Sequence, residues 1–201
     1  MMRDSRLPRW LLEQVGRIGK RPVMETAPTT GQAVVWDSTL GVAGAWKPGT
    51  PTTVPKAIPA VVSQATGTGV VFPSNTSFWP GAELVDAQDD TAYMWFLIPA
   101  DFHALVSVTV VVVPKATGNL YRDTRTEFAT TGEDFQVNTD SIAVAPQAVT
   151  NNQVYYDDVS AAFTGVAAGD TVCLAYRRQA TNVLDTVAAS VFCVGGRLEY
   201  T

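Results

Sequence analysis

The side chains able to do chemistry are few and scattered. His103 is the single histidine, Cys173 and Cys193 are the only cysteines, and carboxylates fall in adjacent pairs: Asp89 with Asp90, Glu133 with Asp134, Asp157 with Asp158. A Ser-His-Asp relay needs a serine on a sharp strand-to-helix turn, and no serine here has a G-x-S-x-G setting. Glycoside hydrolysis needs two carboxyls facing each other across a cleft, whereas neighbours along a strand point to opposite faces. Calcium needs a convergent loop of oxygens; Glu83, Asp86, Asp89 and Asp90 form the only cluster dense enough, and its plain reading is a solvated acidic loop. The cysteine spacing fits no zinc motif, and no glycine-rich strand-to-helix turn is present to cradle a phosphate. The chain therefore reads as a non-enzyme with no catalytic residue, no metal and no cofactor. Recognition remains open: Phe78, Trp79, Tyr121, Tyr155 and Tyr156 could stack on sugar rings, although aromatic residues more often fill cores.

The elements that would position these residues are mainly strands. Residues 91–113, TAYMWFLIPADFHALVSVTVVVV, hold two apolar runs divided at Pro99, Ala100 and Asp101. Each run is too short to cross a bilayer as a helix, and both are rich in β-branched and aromatic residues, so they predict two long core strands. In the second, Val106, Val108, Val110 and Val112 alternate with more polar residues and mark the core face. Further strands are predicted over 69–72, 77–85, 120–128, 134–144, 153–159, 171–178 and 186–200, with turn residues between them. Tyr121, Asp123, Arg125 and Glu127 share one face, as in a solvated or edge strand. SAAFTGVAAGD, residues 160–170, reads as a helical turn closed by an Ala-Gly-Asp turn. So many strands of this length predict a β-sandwich over residues 65–201. If the last two strands make a hairpin turning near Val183, Cys173 and Cys193 lie close to opposite one another; a thiol pair is then favoured over a disulfide in a reducing cytoplasm.

Upstream, residues 4–19 have the period of an amphipathic helix. Leu7, Leu11, Val15 and Ile18 fall on one face with Trp10 and Gln14 beside it, Pro8 sits in the first turn, and Gly19 followed by Pro22 closes it. So short a helix is marginal alone in water, so its apolar face calls for a partner. Residues 1–25 carry six basic side chains against Asp4, Glu13 and Glu25, a balance of +3 within a chain of net charge −5. The remainder is acidic and unsuited to wrapping nucleic acid. Charges at Glu13 and Arg17 break the apolar run a signal peptide would need, and no membrane insertion is expected. Residues 26–49 contain two short strand patterns, AVVW and AWK, joined by a Gly-rich stretch. Residues 50–64 place Pro51, Pro55 and Pro59 at close intervals, the pattern of a stiff extended neck.

A Gly-Gln-hydrophobic-Trp-Asp segment (residues 31–37) followed by Trp-Lys-Pro-Gly (residues 46–49) resembles a small module near the N-termini of tailed-bacteriophage fibre and virion appendage proteins. Over residues 91–200 the succession of an apolar strand pair, a polar strand, QVYYDDVSAAF, an AAGDTV turn and a strand ending in Arg177 and Arg178 resembles phage virion jelly-roll modules. The resemblance implies an all-β chain: an N-terminal amphipathic helix, a small Trp-containing hairpin and a Pro-rich neck ahead of a jelly-roll β-sandwich. It implies a virion protein made in the host cytoplasm, a homotrimeric short tail fibre or spike, attached through residues 1–49 to another virion protein. Leu7, Trp10, Leu11, Val15 and Ile18 would anchor it, Trp36 and Trp46 would pack the base of the trimer, and the sandwich would face outward towards a host surface glycan. Two other readings are a head decoration or head fibre protein on the capsid and, in another class, a carbohydrate-binding module.

Overall fold

The computed structural model describes residues 17–18, 21–22, 33–37, 45–49, 54–66 and 81–201. The chain divides into two compact units, Met1–Val54 and Pro55–Thr201. In the first, β1 (Arg17–Ile18) pairs antiparallel with β2 (Arg21–Pro22), and β3 (Ala33–Asp37) with β4 (Ala45–Gly49). Trp36 and Trp46 occupy directly opposed register positions of β3 and β4. The helix expected over 4–19 does not reach its end: Ile18, placed on its anchoring face, is in a strand. Gly16 and Gly19 flank this point and weaken a helix, while two residues separate β1 from β2, the loop length of a tight hairpin. The remaining anchoring residues, Leu7, Trp10, Leu11 and Val15, lie outside the described residues, as do Phe78 and Trp79.

The second unit is a β-sandwich. One layer has the strand order β10 (Asn138–Val149), β9 (Gly118–Ala129), β12 (Thr171–Gln179), β7 (Asp89–Leu97); the other has β5 (Lys56–Thr66), β13 (Val191–Tyr200), β8 (Leu105–Pro114), β11 (Tyr155–Asp158). The pairs β5/β13, β7/β12, β8/β11 and β9/β10 are all antiparallel and nested in sequence, so the chain is doubled on itself and then rolled. That is the jelly roll. Short β6 (Ala82–Leu84) adds to the start of β13. Strand β5 turns the corner between layers: Lys56 to Val61 pair with β13, and Val62 to Thr66 pair with β7, with a register shift between Val62 and Gln64.

β5 corrects the expected neck. Residues 56–64 are a strand of the sandwich, with Ala60 and Val62 buried in the core. Proline spacing signalled extended chain, but the alternation of Ile58, Ala60 and Val62 carries the packing. Pro59 is tolerated because this half of β5 has β13 on one side only, as on an edge strand. Strand β10 begins later than expected, at Asn138, because TTGEDFQV forms a loop with Gly132 at φ +94°. Strand β9 has the expected solvated face but is no edge, lying between β10 and β12.

The core is built from alternate residues of both layers. Met94, Phe96 and Ile98 face Val108, Val110, Val112 and Leu198, with Leu174, Tyr176 and Leu120 beside them. Val106, expected in this set, is 47 % exposed. The predicted helical turn is a 3-10 helix, Ser160–Phe163, whose Phe163 ring meets Phe96 edge-on at 5.8 Å. Gly195 sits at a bulge of β13 where a Cβ would come within 2.5 Å of the Ala60 carbonyl oxygen, so β5 and β13 approach closely only because it is glycine.

Candidate functional site

The outward face of β7, β12 and β9 forms a trough. On β12 the outward residues Thr171, Cys173 and Ala175 are small and make a low floor. Register places Cys173 between Trp95 of β7 and Glu127 of β9, and Ala175 between Tyr93 and Arg125. Long side chains therefore stand one strand away on either side, putting the walls about 10 Å apart. Two hollows, of about 470 Å³ and 500 Å³, meet at Tyr93, each within the roughly 300–1,000 Å³ usual for ligand sites.

The first hollow is aromatic. Trp95 is 56 % exposed on its wall, and Phe135, 68 % exposed, closes its far end from the β9–β10 loop. That loop is held in shape by turns: Glu133 N donates to the Thr130 carbonyl at 3.1 Å, Val137 N to the Asp134 carbonyl at 3.0 Å, and Gln136 N to Asp134 Oδ1 at 3.1 Å. The second hollow is polar. Arg177 donates through Nε and Nη2 to the two carboxylate oxygens of Asp123 at 3.0 and 2.5 Å, and Gln179 Nε2 donates to Asp123 Oδ2 at 2.9 Å. The hydrogen bond and charge of Asp123 hold Arg177 above its ordinary value. Between the hollows Arg125 Nη2 meets Glu127 Oε1 at 2.9 Å. Burial, with Glu127 beside it, pushes the Cys173 thiol up, so it remains a neutral floor residue. Aromatic faces give apolar, planar stacking surface, while fixed donors and acceptors read hydroxyls; together they suit a ligand with apolar faces and a hydroxyl-rich rim.

Two buried ion-pair clusters brace the sandwich that carries this trough. Arg122, on β9, donates through Nε and Nη2 to Asp157 of β11 at 2.7 and 2.6 Å, and Tyr176 of β12 donates its hydroxyl to the same carboxylate at 2.9 Å. Burial works against the Arg122 charge, but the hydrogen bonds and charge of Asp157 outweigh it and hold the guanidinium above its ordinary value. Burial, then the charge of Asp157, raises the Tyr176 phenol well above its usual range. Arg178, fully buried, bonds Asp185 at 2.8 Å and the carbonyls of Leu84, Ala189 and Val187.

The residues singled out for chemistry do not converge. His103 is exposed in the break before β8, and its backbone N–H donates to the Thr201 carbonyl. Asp90 and Asp157 point inward while Asp89 and Asp158 point outward, as neighbours on a strand must. In the acidic cluster Asp89 accepts from Thr181, Asp90 accepts from Val85 N, and Asp86 lies 3.5 Å from Arg178. Among the described residues no three metal-ligating side chains gather. Cys173 and Cys193 are free and in different layers, one on the outer face and one in the core, because β12 and β13 are not a hairpin. Of the aromatic residues proposed for stacking, Tyr155 uses its hydroxyl to accept from Thr150 N, and Tyr156 is 69 % exposed on the opposite layer.

Sequence reasoning missed Tyr93, Trp95 and Phe135. MWFL is apolar on both faces, so its period is hidden, and only the layering of β7 against the core separates Met94 and Phe96 from Tyr93 and Trp95. The polar wall was legible as the solvated face of β9.

No protein-family model matches the chain, and no curated protein matches it. Among solved structures it is similar to the carbohydrate-binding module TmCBM61 in complex with β-1,4-galactotriose, at 12 % identity, covering 70 % of this chain and 91 % of that one, with a TM-score of 0.38.

Proposed function

We propose that this chain is a non-catalytic glycan-recognition protein whose jelly roll binds carbohydrate in the trough on β7, β12 and β9. The observation that carries the reading is the small-residue floor between exposed Trp95 and the charged wall of β9, since neither aromatic exposure nor the ordered polar array contributes to the core. Recognition of a host surface glycan is also the task expected of an outward-facing appendage. The sequence resemblance to phage appendages supports a virion setting, in which the N-terminal unit attaches a homotrimer to another virion protein. A glycan array probed with the full-length protein tests the binding reading: selective binding that W95A weakens is expected, and no binding to any carbohydrate class refutes it. Mass measurement in solution tests the trimer, which a strict monomer at micromolar concentration would exclude.

A further inference from the structure

The charge pattern of the trough bears on what kind of glycan enters it. Its charged lining is Glu127 and Glu133 in the aromatic hollow and Asp123, Arg125 and Arg177 in the polar one, two cations against three anions. Both cations are already engaged. Arg177 is held in a two-pronged bond by Asp123, whose Oδ2 also accepts from Gln179, and Arg125 is paired with Glu127. A carboxylate or sulfate on the ligand would find no free guanidinium and would face a lining of net charge −1, Glu133 being the one carboxylate there without a cation partner among the described residues, so like-charge repulsion opposes it. Hydroxyl groups, by contrast, can both donate to Asp123 and accept from Arg177 and Gln179 without disturbing that array.

Length follows from register. Trp95 lies opposite Cys173 and the Asp123 array lies opposite Arg177, and four residues of strand span about 14 Å. That is further than one pyranose ring reaches, so a single sugar cannot touch both stations. Tyr93 lines both hollows, so they adjoin along the strand.

We infer that the ligand is an uncharged oligosaccharide chain lying along β12, with one ring stacked on Trp95 and a ring further along held by its hydroxyls at the Asp123, Arg177 and Gln179 array. This rests on the glycan reading and deepens it. Calorimetry of the full-length protein against neutral oligosaccharides of increasing length, and against uronate and sulfated chains, tests it. A neutral chain is expected to bind at least about tenfold tighter than its monosaccharide, with an affinity little changed by added salt. Q179A and W95A should each weaken the chain by about tenfold, while their melting curves confirm an intact fold. D123A, which frees Arg177, should weaken the neutral chain and strengthen uronate binding. Tight, salt-sensitive binding of an acidic chain by the unaltered protein overturns the inference while leaving glycan recognition standing. So does equal affinity for mono- and oligosaccharide. Absence of binding across the whole panel removes both.

Discussion

Replacing Asp157 by alanine tests whether the two layers under the trough are braced by charge. Asp157 lies on β11 in one layer, and its partners Arg122 and Tyr176 lie on β9 and β12 in the other, so the carboxylate ties the layers together. Its side chain is 4 % exposed and that of Arg122 is 15 % exposed, so the guanidinium left behind would be poorly hydrated. Removing one partner of such a pair costs about 3–5 kcal/mol. The orphaned Tyr176 hydroxyl adds about 1–3 kcal/mol, although the two losses overlap. We therefore expect D157A to destabilise the second unit by about 4 kcal/mol. For a unit of this length the midpoint should fall by about 8–16 °C. Y176F leaves both bonds from Arg122 in place and should cost only about 1 kcal/mol. The double variant R122M/D157L removes both charges and should recover most of the loss, to within about 2 kcal/mol of the unaltered protein. Calorimetric melting and urea titration measure all three. A loss below about 1 kcal/mol for D157A, or strict additivity in the double variant, would refute the account of the brace.

Other outcomes follow from the same geometry. R178M should cost about 3–5 kcal/mol, because it strands Asp185, whose side chain is 1 % exposed, and three carbonyl groups; urea titration reads this directly. W95A should change stability by no more than about 1 kcal/mol, since the ring is half exposed, so that any loss of glycan binding is local. Thiol titration should find equal counts with and without reductant in the unfolded chain, and in the native protein Cys193 should stay unreactive at neutral pH. Burial lifts the Cys193 thiol from 9.0 to about 12. Because the folded value is the higher, its contribution is complete below about pH 9 and is lost as pH rises towards about 12. Tyr176 acts in the same direction, so the melting midpoint should be level from about pH 7 to about pH 8.5 and decline beyond about pH 9.

Much of the architecture was legible from residue order. Alternation in β8 and β9 and the turn at SAAF express local periods and turn chemistry, which neighbouring residues suffice to specify. The neck was misread because proline in an extended segment has the same local signature in a linker and in an edge strand. Whether Ala60 and Val62 are buried depends on β13, more than a hundred residues away. The cysteine hairpin failed for a related reason, since consecutive strands are partners in a meander, whereas in this jelly roll the consecutive β12 and β13 belong to opposite layers.

By itself, the sequence determined that the second unit would be an all-β sandwich, that adjacent carboxylates would not cooperate, and that β9 would offer a polar face. Tertiary structure alone decided the trough. Its floor and walls come from β7, β9 and β12, brought into one sheet by the rolling of the chain, and an apolar run such as MWFL holds no local record of which face meets the core. Burial is a property of what packs against a strand, so Trp95 became a surface residue only when the second layer covered the other side.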